Sequence, residues 1–119
     1  TSLGAAQVRA LITICTNWPA AAIDEGFKSP VTSAVPALVL SGERDPSTPP
    51  EYGTAVANHL SNSVHIIAPG QGHGVISRGC IPTLVADFIS TPDPALLDAT
   101  CAERLTDSPF FLNVLGPAP

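Results

Sequence analysis

Residues 35–50 read "VPALVLSGERDPSTPP". The first half, Val35–Gly42, is a continuous apolar run that ends in small residues. A strand buried on both faces of a parallel sheet has this composition, because helices cover both of its sides. The second half is dense in Gly, Asp, Ser and Pro, which marks a turn at the strand's carboxyl end. Thr48-Pro-Pro-Glu51 then has the spacing of a capping box, with prolines in the first turn of a helix. The helix that follows is expected to place Tyr52, Ala55, Val56, His59 and Leu60 on one apolar face, with Asn62 as its stop.

Downstream, "SVHIIAPG" (63–70) is a second strand rich in branched residues, and "IPTLVADFIS" (81–90) is a second helix. Pro82 suits that helix's first turn, and Leu84, Val85 and Phe88 form its buried stripe. Pro92 and Pro94 end it. The order strand, helix, strand, helix predicts a βαβα unit, hence an α/β fold with parallel strands. Two strands make an incomplete sheet, since three or more are needed for an independent one. Either the sheet continues outside the chain, or residues 11–16 add an edge strand. Upstream of that run, residues 3–11 predict a short helix with Ser2 as N-cap. The expected organisation is one domain: a junction over about 1–34, the βαβα unit over about 35–90, and a tail over about 91–119, first a short helix and then irregular chain.

Composition narrows the function. Apolar residues are 45% of the 119 and charged residues 13%, so the chain is globular, and much of its surface is expected to be covered by something else. The formal net charge is −5, with five scattered Lys and Arg, which argues against nucleic acid and against a polybasic membrane contact. No apolar run approaches the roughly 18 residues that a membrane span needs. The chain opens with no signal-peptide pattern and without methionine, which leads us to expect a piece of a longer protein. Cysteines stand at 15, 80 and 101. If the protein is exported, Cys80 and Cys101 are the closer pair, and Cys15 would find its partner outside the chain; three buried thiols in a cytosolic protein are the alternative.

Chemistry in an α/β sheet gathers at the carboxyl ends of the strands. Asp45 lies in the turn after the first strand. His73 lies in "GQGHG", the loop after the second, where glycines let the backbone turn sharply. An Asp-Pro after a strand is by itself a common turn former, and Trp18 and His65 read as structural residues, Trp18 as core or pocket wall. Acid and histidine together, each after a parallel strand, have the pattern of a carboxylate that fixes an imidazole as a base. The histidines and cysteines lack zinc-ligand spacing, no phosphate-binding glycine motif occurs, and no cofactor is expected.

With those residues in view, "DPSTPP", "APGQGHG", "ICTNWP" and "GCIP" resemble the C-terminal region of α/β-hydrolases, and more narrowly the tripeptidyl aminopeptidase-like region of secreted serine peptidases, relatives of the proline iminopeptidases. The resemblance runs from about residue 10 to residue 112. It implies a Ser, Asp, His triad in chain order, with Asp45 as acid and His73 as base. It also implies a peptide substrate cut at free N-termini, export to the periplasm or beyond, and the upstream part of the same hydrolase as partner. The G-x-S-x-G turn that would carry the serine does not occur here. Ser77 has the wrong spacing and follows the histidine. Cys80 also follows it and competes with a disulfide. An esterase or lipase would use the same two residues, and a non-catalytic module would keep them unused.

Overall fold

The computed structural model describes residues 4–107 and residue 114. Its regular elements are helix α1 (Ala6–Asn17), strand β1 (Ala37–Gly42), helix α2 (Pro50–Ala57), strand β2 (Ser63–Ala68) and helix α3 (Ile81–Ser90). Short 3-10 turns lie at Glu25–Lys28, Val75–Ser77 and Ala102–Arg104. β1 and β2 pair in parallel, from Ala37 opposite Ser63 to Gly42 opposite Ala68. A parallel pair with helices before, between and after the strands is a partial α/β fold.

Because side chains alternate along a strand, the sheet has two distinct faces. Leu38, Leu40, Val64 and Ile66 point to one of them, where they pack with Ile81 and Leu84 of α3 and with Ala102. This is the core, and it is small: Ile81 is the largest fully buried side chain. A disulfide joins Cys80, at the start of α3, to Cys101, just before the last 3-10 turn. The tail is thereby held against the core. Of the stripe expected on α3, Leu84 is buried and Val85 and Phe88 are half-buried.

The other face carries α2, and here the sequence reading needs correction. The residues turned to the sheet are Gly53, Ala57 and the following Leu60, whereas Tyr52, Ala55, Val56 and His59 are exposed. Gly53 explains the helix's placement: a Cβ there would stand 2.6 Å from both His65 Nε2 and Ser41 Oγ. Those two atoms are 2.9 Å apart and form a hydrogen bond across the strands, with Ser41 buried. Burial lowers the His65 pKa from its ordinary value. The unfolded chain therefore takes up this proton at a higher pH than the folded chain does, so stability is full above about pH 6.5 and falls as the pH drops below it. His65→Gln is expected to flatten that part of the stability-against-pH curve, measured by urea unfolding between pH 7.5 and 5. An unchanged slope would exclude His65 as its source.

The N-terminal reading is corrected too. Residues 11–16 form no edge strand; they continue α1 without a break. Within it the Thr13 and Thr16 hydroxyls donate to the carbonyls of Arg9 and Ile12, one turn back, at 2.9 and 2.8 Å. Trp18 turns extended ahead of Pro19, as a residue before proline must. Position 5 is the N-cap, and Ser2 lies outside the described residues, as do residues 108–113 and 115–119 of the tail. α1 buries no side chain, and Trp18, expected in a core or pocket wall, is 72% exposed. No helix among the described residues is long and apolar enough to cross a membrane.

Candidate functional site

Parallel strands deliver their carboxyl ends to one edge of the sheet, and the two loops that leave that edge are stitched together. Glu43 N–H donates to the Ala68 carbonyl at 3.1 Å, and Arg44 N–H to the Gln71 carbonyl at 2.9 Å. In return Gly70 N–H donates to Glu43 Oε2 at 2.7 Å. Gly42, the last residue of β1, is required by this closeness, because a Cβ there would overlap the carbonyl oxygen of Gly72. The tail braces both loops: Gln71 Nε2 donates to the Thr106 carbonyl at 2.7 Å, and Arg44 pairs with Asp107.

The result is that Asp45 and His73, 28 residues apart, meet: His73 Nδ1 lies 2.8 Å from Asp45 Oδ2. Asp45 is buried, and all its acceptor capacity is engaged. Oδ1 takes the backbone N–H groups of Ser47 at 2.8 Å and Thr48 at 3.0 Å, while Oδ2 takes the Thr48 hydroxyl at 2.7 Å as well as His73. Burial pushes this carboxyl's pKa up, but it is outweighed by the Thr48 N–H, the Thr48 hydroxyl, His73 and the Ser47 N–H, which together hold it well below the usual carboxylate range. Asp45 is accordingly an anion, and an anion accepts, so His73 Nδ1 is the donor of this pair.

The imidazole itself is 63% exposed, and among the described residues none hydrogen-bonds its Nε2. Gly74, at φ 80°, turns the chain away immediately afterwards into the Val75–Ser77 turn. A groove of about 290 Å³ opens beside the pair, lined by Leu40, Gly42, Asp45, Thr48, His73 and Gly74–Ile76. An imidazole that lines an open groove, with Nδ1 bonded to a buried carboxylate and Nε2 unengaged among the described residues, is arranged to accept a proton from a group brought to that groove.

The family model described as TAP-like protein matches residues 2–101, which is most of the chain. The chain belongs to the TAP-like protein family of α/β-hydrolases. No curated protein and no solved structure matches it. The TAP-like match covers α1, both strands, α2, α3 and both cysteines of the disulfide, so the resemblance read from the motifs is correct as a C-terminal region of an α/β-hydrolase.

Other residues considered from the TAP-like sequence are separated by the structure. Ser77 sits exposed in the Val75–Ser77 turn and makes no hydrogen bond to His73 among the described residues. Cys80 is consumed by the disulfide and offers no thiolate. His65 is on the opposite face of the sheet, bonded to Ser41. Cys15 is free and exposed. No group of three or more His, Cys, Asp or Glu suited to a metal occurs among the described residues. One site residue was misread. Thr48 does not cap α2, whose N-cap is Pro49 without a side-chain bond; its hydroxyl is turned instead to Asp45. The signal was present in the turn "DPSTPP", where the Asx-type spacing Asp45 to Thr48 competes with the capping box for the same hydroxyl.

Proposed function

We propose that this chain supplies the acid and the base, Asp45 and His73, of a Ser-His-Asp triad in a secreted serine hydrolase that removes short peptides from free N-termini. The single observation that carries this reading is the 2.8 Å Asp45–His73 pair at the carboxyl edge of parallel strands, with Nε2 left for a nucleophile. In the reaction, Nε2 takes the serine hydroxyl's proton as the oxygen attacks the scissile carbonyl, and Asp45 stabilises the imidazolium that results. His73 then protonates the leaving amine, and a water that it deprotonates in turn releases the acyl group.

The serine is assigned to sequence outside these 119 residues, because no G-x-S-x-G string occurs in them. Two features support a larger fold around the chain. Among the described residues the sheet has two strands. A groove of about 450 Å³ between Lys28–Val31 and the exposed side of α2, together with the exposed apolar residues of α1, is surface that the remaining hydrolase would cover. The disulfide favours an oxidising compartment, as export would provide.

The test uses a fluorophosphonate probe, which marks an activated serine covalently. The full-length gene product is expected to be labelled, and residues 1–119 expressed alone are not. Labelling of the 119 residues alone would overturn the assignment of the serine. A panel of N-terminally free peptides and acyl esters then separates a peptidase from an esterase by kcat/KM.

A further inference from the structure

We propose that Thr48 is a positioning residue that holds His73 in the Nδ1–H tautomer; the consequence for catalysis rests on the triad reading above, whereas the tautomer itself does not. Three polar groups meet at one point. Thr48 Oγ1 is 2.7 Å from Asp45 Oδ2 and 3.3 Å from His73 Nδ1, and Nδ1 is 2.8 Å from the same Oδ2.

The directions of these bonds follow from the chemistry of the groups. Ionised Asp45 only accepts, so the Thr48 hydroxyl spends its one proton on Oδ2. What Thr48 then turns towards Nδ1 is a lone pair. Nδ1 therefore faces two acceptors, a carboxylate oxygen and a hydroxyl oxygen. With a proton on Nδ1 both contacts are attractive, the short one to Asp45 and the long one to Thr48. With the proton on Nε2 instead, Nδ1 would set its own lone pair against two others. Thr48 can relieve that only by turning its proton to Nδ1 and giving up the charge-assisted bond to Asp45. The hydroxyl thus adds to the bias that Asp45 imposes and fixes the imidazole's tilt from a second side.

The arrangement is local to this turn. The Thr48 backbone N–H separately anchors Oδ1 at 3.0 Å, so loss of the hydroxyl leaves the carboxylate's other contacts standing. The charged residues that precede Asp45 in sequence are engaged elsewhere: Glu43 accepts from Gly70 N–H, and Arg44 pairs with Asp107.

The experiment compares native protein with Thr48→Val, which keeps the shape and loses the hydroxyl, and Thr48→Ser, which restores it, each in the full-length gene product. The first readout is histidine-selective nitrogen and carbon NMR with the imidazole neutral. The Nδ1–H tautomer is expected to dominate in the native protein and in Thr48→Ser, and the Nε2–H fraction of His73 to rise several-fold in Thr48→Val. The second readout is kinetic: about a tenfold loss of kcat in Thr48→Val with KM unchanged, recovered in Thr48→Ser, as for one hydrogen bond to a charged group. An unchanged tautomer ratio in Thr48→Val would overturn the proposal, whatever the rates. A changed ratio in a protein whose activity survives His73→Ala would uphold Thr48's role and overturn the triad, so the two failures are distinguishable.

Discussion

In the full-length hydrolase, under the proposed triad, Asp45→Asn is expected to lower kcat by roughly 10⁴-fold and His73→Ala by roughly 10⁶-fold, with KM little changed. For His73 the reason is direct, since the proton acceptor is gone. For Asp45 the structure gives a sharper one. The backbone N–H groups of Ser47 and Thr48 both point at the Oδ1 position, so an asparagine must set its amide oxygen there. Its NH₂ then occupies the Oδ2 position, 2.8 Å from Nδ1, and donates. An imidazole nitrogen that accepts a proton bond cannot also carry the proton, so His73 is driven into the Nε2–H tautomer and has no lone pair for the serine. The variant preserves the hydrogen-bond count and shape of the turn, so its fold is expected to survive, and circular dichroism together with a urea midpoint close to native checks that. Turnover within tenfold of native in either variant would remove that residue from the triad.

How much of this was legible in the sequence differs from element to element. β1, β2 and α3 were readable because buried parallel strands and a proline-started amphipathic helix each impose a strong local pattern. Asp45 and His73 were readable for the same reason: once the strands are placed, their carboxyl ends are placed. Residues 11–16 resemble a strand because a β-branched run is ambiguous in period, and in the structure they continue α1. For α2, apolar periodicity does not mark the buried side. Here the small Gly53 sets the approach to the sheet, and Tyr52 and Val56 stay exposed. Two pairings needed the folded chain. Ser41 and His65 face each other only through the strand register, and Thr48 had two local partners for one hydroxyl, of which the buried carboxylate wins. In each case the deciding interaction lies between segments distant in sequence, or between two local options of similar strength.

Loss of the disulfide is the second large effect. Cys80→Ser with Cys101→Ser is expected to reduce the unfolding free energy by about 3 kcal/mol, the chain-entropy value for a loop of this length, and to lower Tm by about 10 °C or more. The loss is large against the rest of the structure because the core is so small: among the described residues six apolar ones are buried, and Ile81, Leu84 and Ala102 among them sit beside the linkage. The bond also matters to the site. The segment it fixes continues into Leu105, whose side chain lies where Gly79 leaves room, then into Thr106, which accepts from Gln71, and Asp107, which pairs with Arg44. Gln71 and Arg44 belong to the two loops that bring His73 and Asp45 together. Opening the disulfide therefore frees the brace beneath the pair, and kcat is expected to fall with stability, by a smaller factor than in His73→Ala. Dithiothreitol on the native protein should reproduce both losses, whereas Cys15→Ser, which changes an exposed cysteine with no bond to it among the described residues, should reproduce neither. A double serine variant that unfolds within 0.5 kcal/mol of native, well under the roughly 3 kcal/mol expected of this loop, would mean that the tail is held by its side-chain contacts alone.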